Sequence, residues 1–123
     1  MTKKRILIVE DQGITAIDEA QIICDLGYEV TGIAISGENA VDQAGMDKPD
    51  AILMDIKLAG EMDGTDAALK IRELYQIPVV YVTAHGDKKT SKDRLFNMPE
   101  GIGYVVKPYT KEELESELKR LVG

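Results

Sequence analysis

A chain of 123 residues has room for one domain with a buried core and little room for a second. It is 44% hydrophobic and 30% charged, the make-up of an ordinary globular protein rather than a disordered one. The formal net charge of -7 excludes a general binder of nucleic acid or anionic membrane, which needs a basic face.

In chain order, Met1 to Arg5 is basic, but the apolar run Ile6–Val9 is too short for a signal peptide or a membrane span. A first strand and a cytoplasmic location are expected. Ile14, Ile17, Ala20 and Cys24 then follow a spacing near 3.6, predicting a helix that packs on those residues and stops at Gly27. Cys24 is the only cysteine, so no internal disulfide forms and a reducing compartment suits the chain. Within the helical pattern it is expected to be a small buried residue rather than a reactive thiol.

Tyr28–Ala34 is rich in β-branched residues and broken by Gly32, a weaker strand signal. Ser36 can cap a second helix with Ala40, Val41 and Ala44 inward. Ala51–Met54 is a third strand, and Ala67, Ala68, Ile71 and Leu74 mark a third helix ended ahead of Pro78. Val79–Val82 is a fourth strand. Asp87 to Pro99 is mostly charged, with Leu95, Phe96 and Met98 its large apolar residues, and predicts a short fourth helix. Tyr104–Val106 is a fifth strand. Thr110 and Glu113 form a capping box for a last helix carrying Leu114, Leu118 and Leu121. Continuous apolar runs suit strands buried on both faces, and their alternation with helices predicts an α/β, doubly wound (βα)₅ sandwich with a parallel sheet.

The polar residues that end these runs are the informative ones. Glu10 and Asp11 close the first run, Asp55 the third, Thr83 the fourth and Lys107 the fifth. In an open parallel sheet all these ends share one edge, where ligands bind. Three carboxylates gathered there repel one another, and a hard divalent cation such as Mg²⁺ relieves the repulsion. One carboxylate can then attack phosphorus, with the metal, Lys107 and the Thr83 hydroxyl neutralising charge. Taken singly, each residue has a plainer role: Asp55 as a turn former, Glu10 and Asp11 as a helix cap, Thr83 as a strand residue, Lys107 as a solvated lysine. Four strand ends carrying suitable groups together favour a site. His85, the one histidine, reads as a solvated loop residue.

The runs Ile6-Leu7-Ile8-Val9-Glu10-Asp11, Ile52-Leu53-Met54-Asp55, Met62-Asp63-Gly64, Val82-Thr83-Ala84 and Tyr104-Val105-Val106-Lys107-Pro108 together resemble the receiver domain of two-component response regulators. The resemblance runs from Arg5 to Leu121 and makes residues 1–123 one receiver domain of flavodoxin-like strand order 2-1-3-4-5. It implies that Asp55 is phosphorylated by a histidine kinase or a phosphotransfer protein. Asp11 would bind Mg²⁺ directly, Glu10 through water, and the Lys57 backbone carbonyl would complete the protein's ligands beside Asp55. Thr83 would hydrogen-bond the phosphoryl group, Lys107 would pair with it, and the Lys107–Pro108 peptide would be cis.

The family's switch would move Thr83 toward the phosphoryl group and turn Tyr104 inward. That reshapes the surface of the fourth helix, fifth strand and fifth helix for a downstream protein target, and it allows a homodimer on activation. Such a chain is a signalling phosphoacceptor that catalyses only its own phosphorylation and dephosphorylation. The chain departs from the common pattern in three places. The loop after Asp55 is one residue longer and lacks a proline, Lys57 stands two residues after Asp55 at a position that tunes phosphoryl lifetime in the family, and the first acidic pair is Glu-Asp.

Two other classes fit less well. A flavin carrier of similar topology needs a Ser/Thr/Gly-rich phosphate cradle where Glu10-Asp11-Gln12-Gly13 stands. A phosphohydrolase with Asp55 as nucleophile needs a second acid or base and a cap over its substrate.

Overall fold

The computed structural model describes residues 3–55, 64–83 and 101–122. Its elements are β1 (Arg5–Val9), α1 (Gly13–Asp25), β2 (Glu29–Ala34), α2 (Gly37–Asp47), β3 (Ala51–Asp55), α3 (Gly64–Tyr75), β4 (Val79–Thr83), β5 (Ile102–Val106) and a C-terminal helix (Lys111–Val122). The strands form one sheet in the order β2-β1-β3-β4-β5, every pair parallel. The doubly wound α/β reading and its strand order hold. The helix expected within Asp87–Pro99 lies outside the described residues.

The two faces of the sheet make two cores, because successive side chains on a strand point opposite ways. Leu7, Val9, Ile52, Met54, Val79 and Tyr81 pack with Ala40 and Ala44 of α2 and Ala67, Ala68 and Ile71 of α3. Ile6, Ile8, Leu53, Val80, Val82 and Val105 pack with Ile23 of α1 and with Leu114 and Leu118 of the C-terminal helix. Alanines let α2 and α3 lie close to the sheet, and Gly45 lets them lie close to each other. A Cβ at Gly45 would meet the Tyr75 hydroxyl at 2.5 Å.

The helix ends follow their sequence signals. Ser36 Oγ accepts the Asn39 N–H at 3.1 Å. Glu113 N–H donates to Thr110 Oγ1 at 3.1 Å, and Thr110 N–H donates to Glu113 Oε1 at 3.3 Å, completing the capping box. Gly27, at φ 93, takes the left-handed turn after α1.

Two helix faces differ from expectation. Ile14 is 81% exposed and Ile17 65%, and Cys24 is exposed too, whereas Ala16, Glu19 and Ile23 are buried. Helix α1 carries isoleucines around much of its circumference, so spacing alone did not select a face. The sheet accepts the face with the small Ala16 and Ala20, which lets the helix approach, and Ile23 fills the space beyond. Leu74, at the last turn of α3, is 52% exposed while Ala67, Ala68 and Ile71 are buried.

Candidate functional site

Parallel pairing brings the ends of the strands to one edge. Val9 of β1 lies opposite Met54 of β3, so Glu10 and Asp55 come next to each other along that edge. The Glu10 N–H donates to the Ala34 carbonyl at 2.9 Å, which continues the β1–β2 ladder by one residue and fixes where the Glu10 side chain leaves the backbone. Thr83 closes β4 opposite Val106, and Lys107 follows β5 directly. Glu10, Asp11, Asp55, Thr83 and Lys107 therefore stand on the same edge, as their positions in the chain predicted. Lys57 lies outside the described residues.

Glu10, Asp11 and Asp55 each offer a carboxylate oxygen, and these lie within 4.8 Å of one another. Glu10 is only 2% exposed. Its Oε2 accepts the Gln12 N–H at 3.2 Å, while Oε1 is buried with no donor aimed at it. Against the carboxyls of Asp55 and Asp11 it can hydrogen-bond only if one of them holds a proton. Burial, and then the negative charge of Asp55, push the Glu10 carboxyl up to about 7. A divalent cation with oxygen ligands fits this donor set, since it neutralises the facing carboxylates.

A fourth carboxyl belongs to the same neighbourhood. Glu19, on the inward face of α1, is 4% exposed and is pushed up to about 8, chiefly by burial and then by the charge of Glu10, with Lys107 partly offsetting this. Tyr109, one residue beyond Pro108, is pushed up to about 12 by its own burial and then by Glu19 and Glu10. Reading the sequence missed both residues. The signal for Glu19 was its helical spacing from Ala16 and Ile23, a stripe that points toward the sheet. The Lys107–Pro108 peptide is cis, as expected, and the Tyr104 side chain is 36% exposed rather than turned inward.

The doubly wound sheet places this acidic cluster at the switch between β1 and β3, where α/β proteins of this class bind their ligands. The family model for the response regulator receiver domain matches residues 6–119, and the chain belongs to that family. It is 33% identical over 114 residues to the transcriptional regulatory protein PdtaR of Mycobacterium tuberculosis, a match covering 90% of this chain and 53% of that protein. It is 33% identical over 105 residues to the phyllosphere-induced regulator PhyR of Methylorubrum extorquens, covering 85% of this chain and 38% of PhyR. The chain thus spans about half or less of these curated relatives.

Among solved structures, it is similar to the receiver domain of the sensor histidine kinase PA1611 of Pseudomonas aeruginosa, which has a magnesium ion in its active-site cleft. That match has a TM-score of 0.85 and 30% identity and covers 99% of both chains. A putative response regulator of Chloroflexus aurantiacus matches with a TM-score of 0.86 and 30% identity over 98% of both chains. Among the described residues no helix is long and apolar enough to cross a membrane.

Proposed function

We propose that residues 1–123 work as one receiver domain that accepts a phosphoryl group on Asp55 from a sensor histidine kinase or a phosphotransfer protein. An Asp55 carboxylate oxygen attacks phosphorus. The new P–O bond forms as the donor's P–N bond breaks, and the imidazole nitrogen keeps the electron pair and takes up a proton. Asp11, Asp55 and the Lys57 carbonyl would hold Mg²⁺, with Glu10 reaching it through water. When bound, the ion neutralises the facing carboxylates and the phosphoryl oxygens. Lys107 supplies the positive charge from the β5 side, and the Thr83 hydroxyl donates to a phosphoryl oxygen.

The observation that carries this reading is the set of three carboxylate oxygens within 4.8 Å of one another, one of them on a buried residue with an unpartnered oxygen. Carboxylates in that arrangement call for a cation, and Asp55, partly exposed at the end of β3, is open to a phosphoryl donor. The domain turns over no separate substrate. It catalyses its own phosphorylation and dephosphorylation in the cytoplasm, and the Thr83–Tyr104 switch changes the surface seen by a downstream protein or by a second copy.

A small P–N donor tests the chemistry without the cognate kinase. Incubation with phosphoramidate and Mg²⁺ should label the chain with a base-labile acyl phosphate, and Asp55→Asn should stay unlabelled. Equal labelling of Asp55→Asn, or no labelling of the wild type at any donor concentration, overturns the assignment of Asp55.

A further inference from the structure

Among the described residues, β5 is an edge strand of the sheet. Val79 N–H donates to the Gly101 carbonyl at 2.9 Å, so Gly101 faces β4. Alternation along the strand then turns the backbone groups of Ile102 and Tyr104 outward. Such an outward row is a template on which another strand can pair.

Here the outward groups are taken by two side chains of the C-terminal helix. Glu117 Oε2 accepts the Tyr104 N–H at 3.0 Å, and Arg120 Nη2 makes a longer contact of 3.5 Å with the Ile102 carbonyl. The two side chains hold each other through Arg120 Nη2 to Glu117 Oε2 at 3.0 Å and Arg120 Nε to Glu117 Oε1 at 3.3 Å. One acceptor and one donor, joined together, thus occupy the places that the C=O and N–H of a neighbouring strand would use. Gly103, between the two outward residues, makes room for them. A Cβ there would run into Glu117 Oε2 and lie 2.9 Å from Arg120 Nη2.

The opposite edge carries a different obstacle. β2 pairs with β1 through a register shift that takes Ile6 to Val30 and Leu7 to Gly32, leaving Thr31 as a bulge. Bulges twist an edge away from further pairing.

We propose that the Glu117–Arg120 pair is an edge guard: it stands in for one residue of a sixth strand at Tyr104 and keeps β5 from pairing with the β5 of a second copy. Two such edges can meet about a twofold axis as antiparallel strands, each offering the same outward groups to the other. An exposed ion pair three residues apart on a helix adds little to global stability. Its position over the strand edge is what gives it a task. The guard is independent of the chemistry at Asp55.

The test compares wild type, Glu117→Ala/Arg120→Ala, Gly103→Ala and a control, Glu115→Ala/Lys119→Ala, which removes another ion pair within that helix. Tyr104 amide exchange is read at low concentration, and sedimentation is followed as concentration rises. In the double variant the Tyr104 amide should exchange about tenfold faster, the size of one lost hydrogen bond to a charged group. The same variant should associate with rising concentration while the control behaves as wild type. Gly103→Ala pushes the pair aside without removing a charge and should do the same, and it carries the comparison if the double variant loses its fold. A Tyr104 amide as slow as in wild type, or a freed amide with sedimentation unchanged, overturns the proposal.

Discussion

Glu10 and Asp55 follow and end neighbouring parallel strands, and with Asp11 their carboxylate oxygens lie within 4.8 Å of one another while Glu10 is almost wholly out of water. Placing like charges together in a buried setting costs free energy that only a proton or a cation recovers. The energetics of the fold and the chemistry of the site therefore meet at this pair.

Glu10→Gln should raise the melting temperature in the presence of a chelator, because the buried charge and its repulsion by Asp55 are gone. The same change should weaken Mg²⁺ binding by about tenfold to a hundredfold, the usual effect of losing a group that orients a metal's ligands. Thermal melts with and without chelator and a Mg²⁺ titration check both directions. A variant that melts lower in chelator would show that Glu10 is stabilised by contacts rather than strained by its neighbours.

The pH dependence of stability should carry the mark of Glu19. Its folded value near 8 lies above its ordinary value of 4.5, mainly because of burial. Between those values the folded chain holds a proton that the unfolded chain has released. Stability from this group is therefore fully present below about 4.5 and falls as pH rises toward about 8. Glu10, pushed up to about 7, acts in the same direction over a narrower range. Urea unfolding of wild type in chelator should show stability falling from weakly acid to weakly alkaline pH. Glu19→Gln should flatten that slope, and an unchanged slope would contradict the burial of this carboxyl.

The face that α1 turns to the sheet can be tested by truncation. Ile23→Ala should cost about 2–5 kcal/mol, the range for emptying a packed core position. Ile17→Ala, on the solvent side, should stay within about 0.5 kcal/mol of wild type. Denaturant melts of the two variants decide between the observed face and the one that spacing alone suggested.

Cys24 lies on the exposed side of the same helix. A thiol reagent should label it in the folded protein at a rate near that of the urea-unfolded chain. Labelling only after unfolding would place the thiol back in the core.

Much of this was legible from the residues, for identifiable reasons. Ile6–Val9, Ala51–Met54 and Val79–Val82 are apolar without interruption because their strands are covered on both faces, and their shortness separates them from buried helices. Ser36 and the Thr110–Glu113 box marked helix starts because their hydroxyls satisfy N–H groups that lack a partner in the first turn. The face of α1 was not legible. Ile14, Ile17, Ile22 and Ile23 leave several faces equally apolar, and the choice falls to how closely Ala16 and Ala20 let the helix approach. Glu19 was missed because a lone glutamate in a helix ordinarily faces water. Only the packed structure shows it buried, where it feels the charge of Glu10. The positions of Glu10, Asp11, Asp55, Thr83 and Lys107 could be read because each sits at a strand end, where topology rather than packing decides location.

The most direct test of the central claim is the melting temperature without metal, with Mg²⁺, and with Mg²⁺ plus beryllofluoride, for wild type and Asp55→Asn. Beryllofluoride takes the place of an aspartyl phosphoryl group, and a ligand that binds only the folded state raises the melting point. The acidic cluster should give a rise with Mg²⁺ and a further rise with beryllofluoride that disappears in Asp55→Asn. A wild type whose melting point neither ligand moves would contradict the account and leave the chain an interaction module that works without phosphorylation.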